Sequence, residues 1–259
     1  VKEAALRSDA DMKPRIPWFK AIAVAGVAVG TIVACRQMQA AGQGPVPKPT
    51  TLQIKLQTTP PPGAIVLYSG KEEDLRNNWY KRRTTEPADW SVGPDGAATP
   101  KHDDITSKQE FGDAYIHVEF REPMQGGGNS GVGIQGRYEV QILNSYGHQP
   151  EKHQCGAFYD EKAPIVIASK QPGEWQTYDI IFRAPRFDAN GQVIEKPRAT
   201  VFQNGILIQN NEEFTGPTGI QYEQYHDMAK TGPLILQGDH DPVQFRNVWV
   251  VPLEQAGQG

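Results

Sequence analysis

Two runs of the chain place charged and polar side chains at every second residue. In AYIHVEFR, Tyr115, His117, Glu119 and Arg121 alternate with Ala114, Ile116, Val118 and Phe120. Around RYEVQIL, Gln135, Arg137, Glu139 and Gln141 alternate with Ile134, Tyr138, Val140 and Ile142. A strand projects alternate residues to opposite faces, so each run predicts one apolar and one polar face. Each polar face carries a carboxylate and a guanidinium. If the two strands are neighbours, the stripes merge into one polar concave surface. Carboxylates and amides exchange hydrogen bonds with hydroxyls, and aromatic rings stack on flat apolar faces, so such a surface suits a polyhydroxyl ligand. Alternation alone shows only that a face is polar, and an ordinary solvated outer face reads the same way.

Other chemistry-bearing residues stand alone. His240, in LILQGDHDPVQF, follows an apolar run and sits between Asp239 and Asp241. Neighbouring carboxylates favour a protonated imidazole, which could serve as a general acid or base. It could equally join carboxylates around a divalent metal, which no spacing here requires, or do neither. His148 and His153 flank Glu151 without a metal-site spacing. The loop Gly126–Gly131, GGGNSG, lacks the Gly-Lys-Ser/Thr ending and following helix of a phosphate cradle. It reads as a hairpin or as the rim of a site, with Asn129 within it. No Ser/His/Asp or Cys/His nucleophile motif is recognisable, although a spatial triad leaves no mark in sequence.

The elements that must position these residues are strands. Among 259 residues, 26 are glycine and 21 proline, an excess that favours turns over long helices. WQTYDIIFRAP and QFRNVWVVPL are strand-like. ATVFQNGILIQ places Asn204-Gly205 between two apolar runs, a strong hairpin signal. Asn190-Gly191 marks a second turn. No amphipathic helix longer than two turns follows Ala64. Many strands with one apolar face each imply two antiparallel sheets packed face to face, an all-β sandwich. The net charge of -4 argues against binding nucleic acid through bulk charge. Two cysteines make no disulfide framework, and Cys155 reads as a small buried side chain.

The N-terminus reads as an address. Residues Ala21–Ala34 are 14 uncharged residues preceded by Lys13, Arg15 and Lys20; a membrane span needs about 20. A basic region and a short apolar run describe a secretory signal. Met12 stands where such a signal would start and is read as its start. Ile32, Val33, Ala34 and Cys35 resemble a bacterial lipobox, in which Cys35 is lipidated and becomes the new N-terminus. An ordinary cleaved signal and a buried helix are the alternatives. Removing residues 1–34 takes five Lys/Arg and three Asp/Glu, shifting the net charge to -6. Arg36 is not a retention signal, so the expected location is periplasmic or anchored to the outer membrane. Residues 35–63 read as the lipidated cysteine and a Pro-rich tether, with a short strand at Leu52–Leu56 allowed by alternation. Residues 64–254 form the sandwich and 255–259 a tail.

The strings LYSGKEEDLRNNW, DITSKQEFGDAYIHVEFREP, GGGNSGVGIQGRYEVQILNSYG, GEWQTYDIIFRAPRFDANGQ and LILQGDHDPVQFRNVWVVPL resemble the 3-keto-disaccharide hydrolase domain family over about Ala64–Leu253. The resemblance implies a concanavalin-like jelly-roll sandwich in an exported or lipid-anchored protein. It implies a 3-keto-disaccharide or other 3-keto-glycoside as substrate, oxidised beforehand by a separate sugar 3-oxidoreductase, with no cofactor required. A ketone at carbon 3 acidifies the carbon-2 proton. A base removes it, and the enolate expels the glycosidic oxygen from carbon 1. Such a site needs a base, a donor for the enolate oxygen and an acid for the leaving group. Carried onto this chain, Glu139 or His240 is the base and Arg137 the enolate stabiliser. Substrate-binding candidates are Tyr115, His117, Glu119, Arg121, Asn129, Gln135 and Gln141. The string LQGDHD departs from the family's Leu-Gln-Asp-His-Gly type pattern by an extra Gly238 and by Asp241, which shifts the expected place of His240. Asn144 stands where many relatives carry Asp. Two alternatives fit the same fold: a non-catalytic lectin-like module and a two-carboxylate glycosidase of the laminarinase type.

Overall fold

The computed structural model describes residues 51–218 and 226–253. The expected signal sequence, Cys35 and the tail lie outside them. In chain order the elements are β1 (Ile65–Tyr68), α1 (Glu72–Asn78), β2 (Trp79–Lys81), β3 (Ser91–Val92), β4 (Ala98–Thr99), β5 (Ile105–Phe111), β6 (Ala114–Arg121), β7 (Ser130–Ile134) and β8 (Tyr138–Ile142). They continue with β9 (Gln176–Arg183), β10 (Arg186–Phe187), β11 (Val193–Glu195), β12 (Arg198–Gln203), β13 (Ile206–Glu213), β14 (Gly232–Leu236) and β15 (Gln244–Pro252). The larger sheet runs β13-β12-β9-β6-β15-β4-β3, with β1 also paired to β15. The smaller runs β2-β5-β14-β7-β8, and β10 and β11 form a separate ribbon. Every pairing is antiparallel.

The two sheets are an all-β sandwich because each contributes one apolar face to one core. Ile116, Val118 and Phe120 of β6 and Tyr178, Ile180 and Phe182 of β9 meet Val132, Tyr138, Val140 and Leu234 of the smaller sheet. Tyr138 spans the interface, its ring 5.9 Å from Phe182 and 4.8 Å from Phe214. Burying each such side chain contributes roughly 1.5–3 kcal/mol. The hairpin signals hold. Asn204 (φ 54°) and Gly205 (φ 76°) join β12 to β13, and Asn190-Gly191 lies between β10 and β11. The one α-helix among the described residues is two turns long. The strand allowed at Leu52–Leu56 is instead a single bridge. Gln53 pairs with Ile206, Ile54 N–H donates to Gly205 O, and Leu207 N–H donates to Leu52 O.

One expectation fails at this level. β6 lies in the interior of the larger sheet, between β9 and β15, whereas β8 is the edge strand of the smaller one. With the apolar faces of both turned inward, their polar faces point away from each other. The two stripes therefore form separate surfaces on opposite sides of the sandwich.

Cys155 is fully buried, and burial pushes its thiol up to about 11. Its sulfur lies 3.0 Å from the Tyr178 hydroxyl, so it is an inert part of the interior. Glu122, buried nearby, is pushed up to about 8 by desolvation.

Candidate active site

The β7–β8 hairpin builds the site. Gln135 (φ 53°) and Gly136 (φ 65°) are both left-handed, as a mirror-image hairpin turn requires, and Arg137 N–H closes it on Ile134 O at 3.0 Å. The turn sets the register: Glu139 lies opposite Gly133, and Gln141 opposite Gly131. Those glycines leave room for the acid. A Cβ on Gly131 would overlap Glu139 Oε1. Thr218 Oγ1 accepts from Glu139 N–H at 2.6 Å, and Glu139 O accepts from Tyr159 N–H at 3.2 Å. The outer edge of the strand is thus held where it carries the carboxylate.

Glu139, only 3% exposed, faces a cavity of about 100 Å³ lined also by Asn129, Gln141, Tyr159, Gln237 and His240. With its nitrogen toward the acid, the Gln141 amide donates to Glu139 Oε1 at 2.9 Å and to Ser130 O at 3.0 Å. Its oxygen then lies 3.2 Å from the side-chain amide of Asn129. Gln237 is held by its backbone, with Gln237 N–H on Gly131 O at 3.0 Å and Ser130 Oγ–H on Gln237 O at 2.8 Å. Its side-chain Oε1 is buried without a protein partner. A buried acceptor left open beside a cavity carries a desolvation cost that a ligand donor would remove.

His240 reaches the cavity from the loop after β14. Asp104, buried, accepts from Gly238 N–H at 2.9 Å and Asp239 N–H at 3.2 Å. Arg82 Nη1 donates to Asp239 Oδ2 at 2.6 Å. Asp241 Oδ2 accepts from Asn129 N–H at 2.7 Å, tying this loop to the glycine loop. The extra Gly238 fits because a Cβ there would meet Asp103 O at 2.5 Å and the Trp90 ring at 2.6 Å. So the altered string still delivers the imidazole, half-exposed and 3.6 Å from Asp239 Oδ1, to the cavity that Glu139 lines.

Glu139, His240, Gln141 and Asn129 therefore come together, and Tyr159 and Gln237 join them unforeseen. Gln237 stood two residues before the noted Asp239, in the same string; Tyr159 left no signal, since a bend in the chain brings it beside β8. The other candidates go elsewhere. Arg137 sits at the hairpin turn, where its guanidinium donates to Gln135 O at 2.7 Å and to Asp227 O. It is not among the residues lining the cavity. Gln135 braces the turn, donating to Phe111 O at 3.1 Å and Lys230 O at 3.2 Å.

Tyr115, His117, Glu119 and Arg121 form a cluster on the larger sheet. Asp179 Oδ1 lies 2.7 Å from His117 Nδ1 and accepts from Tyr115 O–H at 2.7 Å. The His117 ring stacks on Trp249 at 4.8 Å. Burial works against a charged His117, but hydrogen bonds with Asp179 and Glu119 outweigh it, and its pKa is raised. Burial likewise opposes ionisation of Glu119, yet bonds from His117, Asn247 and Arg246 hold it down at about 2. Asn247 also donates to Thr58 O at 2.7 Å, fastening residues 53–58 nearby. Arg121 and Arg246 both stack on Trp175, at 4.6 and 4.0 Å.

Among the described residues no group of three or more His, Cys, Asp or Glu is gathered so as to hold a metal ion, and no helix is long and apolar enough to cross a membrane.

The sequence matches the 3-keto-alpha-glucoside-1,2-lyase-like domain family over residues 63–251. The chain belongs to that family. It is similar to the crystal structure of a putative glycosyl hydrolase from Parabacteroides distasonis, with a TM-score of 0.67 and 36% identity, covering 83% of this chain and 95% of that one. A second such structure from the same organism, at 18% identity and a TM-score of 0.54, covers 74% of this chain and 95% of that one, and bears on the fold alone. No curated protein matches the chain.

Proposed function

We propose that this domain cleaves 3-keto-glycosides at the glycosidic bond by elimination. Family membership supports action on a glycosidic bond; the keto substrate and the mechanism are our reading. One observation carries it: a buried carboxylate, an imidazole and three amides share one small polar cavity. Glu139 takes the proton from carbon 2. The C–H electrons form the carbon 2–carbon 3 double bond, and the ketone becomes an enolate. The side-chain amide of Asn129 donates to the enolate oxygen, since both N–H bonds of the Gln141 amide are taken by Glu139 and Ser130. When the carbonyl re-forms, the electrons pass to the carbon 1–carbon 2 bond and the carbon 1–oxygen bond breaks. Protonated His240 gives its proton to the departing oxygen. Water then adds its oxygen to carbon 1 and its proton to carbon 2, completing a net hydrolysis; release before this step makes the reaction a lyase. Gln237 Oε1 accepts a sugar hydroxyl. General acid–base catalysis of this kind is worth about 10²–10⁴-fold.

The reading places the protein after a separate oxidoreductase that makes the 3-keto group. We further propose that it is exported and lipid-anchored at Cys35. Mass spectrometry of the mature protein tests this, and a free N-terminus upstream of Cys35 would sink it.

The catalytic reading is tested with a 3-keto-glucoside and its unoxidised parent, following release of the aglycone. Cleavage of the keto compound alone is expected. Cleavage of the parent would favour the two-carboxylate glycosidase, and binding without turnover the lectin-like module.

A further inference from the structure

The face of the smaller sheet that carries Glu139 extends well past the cavity. One register row crosses all five strands: Glu139 lies opposite Gly133, Gly133 opposite Ile235, Ile235 opposite Thr106, and Thr106 opposite Tyr80. Directly paired residues project to the same face. Tyr80 and Thr106 therefore share the Glu139 face. Tyr80 stands four strands away, about 19 Å at the usual strand spacing.

At that end lies a hollow of about 890 Å³, within the size range of small-molecule sites. Tyr80, Thr106, Lys108 and Glu110 line it from β2 and β5, and Arg83 and Thr84 from the turn after β2. Among the described residues its charges nearly balance. Lys81, Arg83 and Lys108 are matched by Glu86 and Glu110 on the lining and by Asp89, which lies 3.0 Å from Lys81. A balanced hollow offers little net field to a phosphate or a polyanion. It still offers many donors and acceptors, which a polyhydroxyl ligand can use in both senses. Several are already held in place. Lys108 Nζ lies 4.8 Å over the Tyr80 ring and donates to Arg76 O at 2.8 Å, and Glu110 accepts from Thr231 O–H at 2.7 Å. Ile235, midway along the row, is fully buried, so the hollow is separate from the catalytic cavity.

We propose that this hollow is an accessory carbohydrate site, which holds a neutral oligosaccharide on the catalytic face through Tyr80, Thr106 and Glu110. Its ligand class rests on the reading of the domain as glycoside-acting. Its effect is to keep a glycan chain near the cavity without taking part in bond cleavage.

The test titrates the full chain with unoxidised cellohexaose, laminarihexaose and maltohexaose at millimolar concentration, observed by two-dimensional NMR. At least one is expected to shift the amides of residues 80–86 and 106–110 and leave those of 139–141 in place. Tyr80→Leu should weaken that binding about tenfold and leave turnover of a small 3-keto-glucoside unchanged. Glu110→Ala, on an exposed strand position, makes the same test without disturbing the interior. The proposal is overturned if no hexasaccharide binds there, or if affinity survives both substitutions. Binding at the hollow with no turnover of the keto-glucoside would remove the catalytic reading and leave the accessory site standing.

Discussion

β6 and β8 present the same pattern in sequence and opposite situations in space. On β6 the polar groups satisfy one another: His117 is held by Asp179, and Glu119 by Arg246 and Asn247. Residues 53–58 fasten onto that side of the sandwich through Thr58. On β8 the strand opposite is glycine at both positions, so a buried acid gains room, and a glutamine oxygen beside it has no partner. A polar cluster whose groups are all paired is a fastening. One that keeps an open acceptor and a cavity can receive a ligand.

The sharpest way to break this contrast is to neutralise one carboxylate on each strand. Glu139→Gln should lower kcat for a 3-keto-glucoside by about 10²–10⁴-fold with an unchanged melting temperature. Glu119→Gln should do the reverse, and near-normal turnover by the Glu139 variant would refute its assignment. Asp179→Asn leaves His117 buried without its closest counter-charge. Loss of one partner of a buried pair costs about 3–5 kcal/mol, so chemical denaturation should show a large loss of stability while turnover per folded molecule persists.

Gly131→Ala probes the room beside the acid. The new methyl would displace the Glu139 carboxylate, and a displacement near 1 Å costs about 10²-fold in rate; unchanged kcat would show that the carboxylate's position is unimportant. The smallest effect is on pH. Glu119, held at about 2, contributes stability above the ordinary carboxylate range that is lost as pH falls toward 2. His117, whose pKa is raised, contributes stability fully present below the ordinary imidazole value and lost as pH rises through its folded value. Unfolding free energies measured across pH should show both limbs, and His117→Gln should flatten the alkaline one.

Much of the fold was legible because strands announce themselves locally. Alternation in β6, β8 and β9 gave the inward faces, and Asn204-Gly205 and Asn190-Gly191 gave two turns. The candidate site was half legible. Glu139, Gln141 and His240 carry their chemistry in their own side chains, so residue type and motif pointed to them. Arg137 and Gln135 stand off the cavity lining because a turn interrupts the alternation there, and their side chains brace backbone carbonyls. Gln237 became visible only as an unpaired buried oxygen, which depends on neighbours from other strands.

By itself, the sequence determined that the chain forms antiparallel strands with one apolar face each, because period-two patterning depends only on neighbouring residues. It also carried the motifs of the family. Tertiary structure alone decided which polar face keeps a buried acid and an open acceptor beside a cavity. The stripes of β6 and β8 have the same period, but sheet assignment depends on pairing between strands far apart in the chain. Long-range pairing put β6 in the middle of one sheet and β8 at the edge of the other, and so turned one stripe into a fastening and the other into a candidate active site.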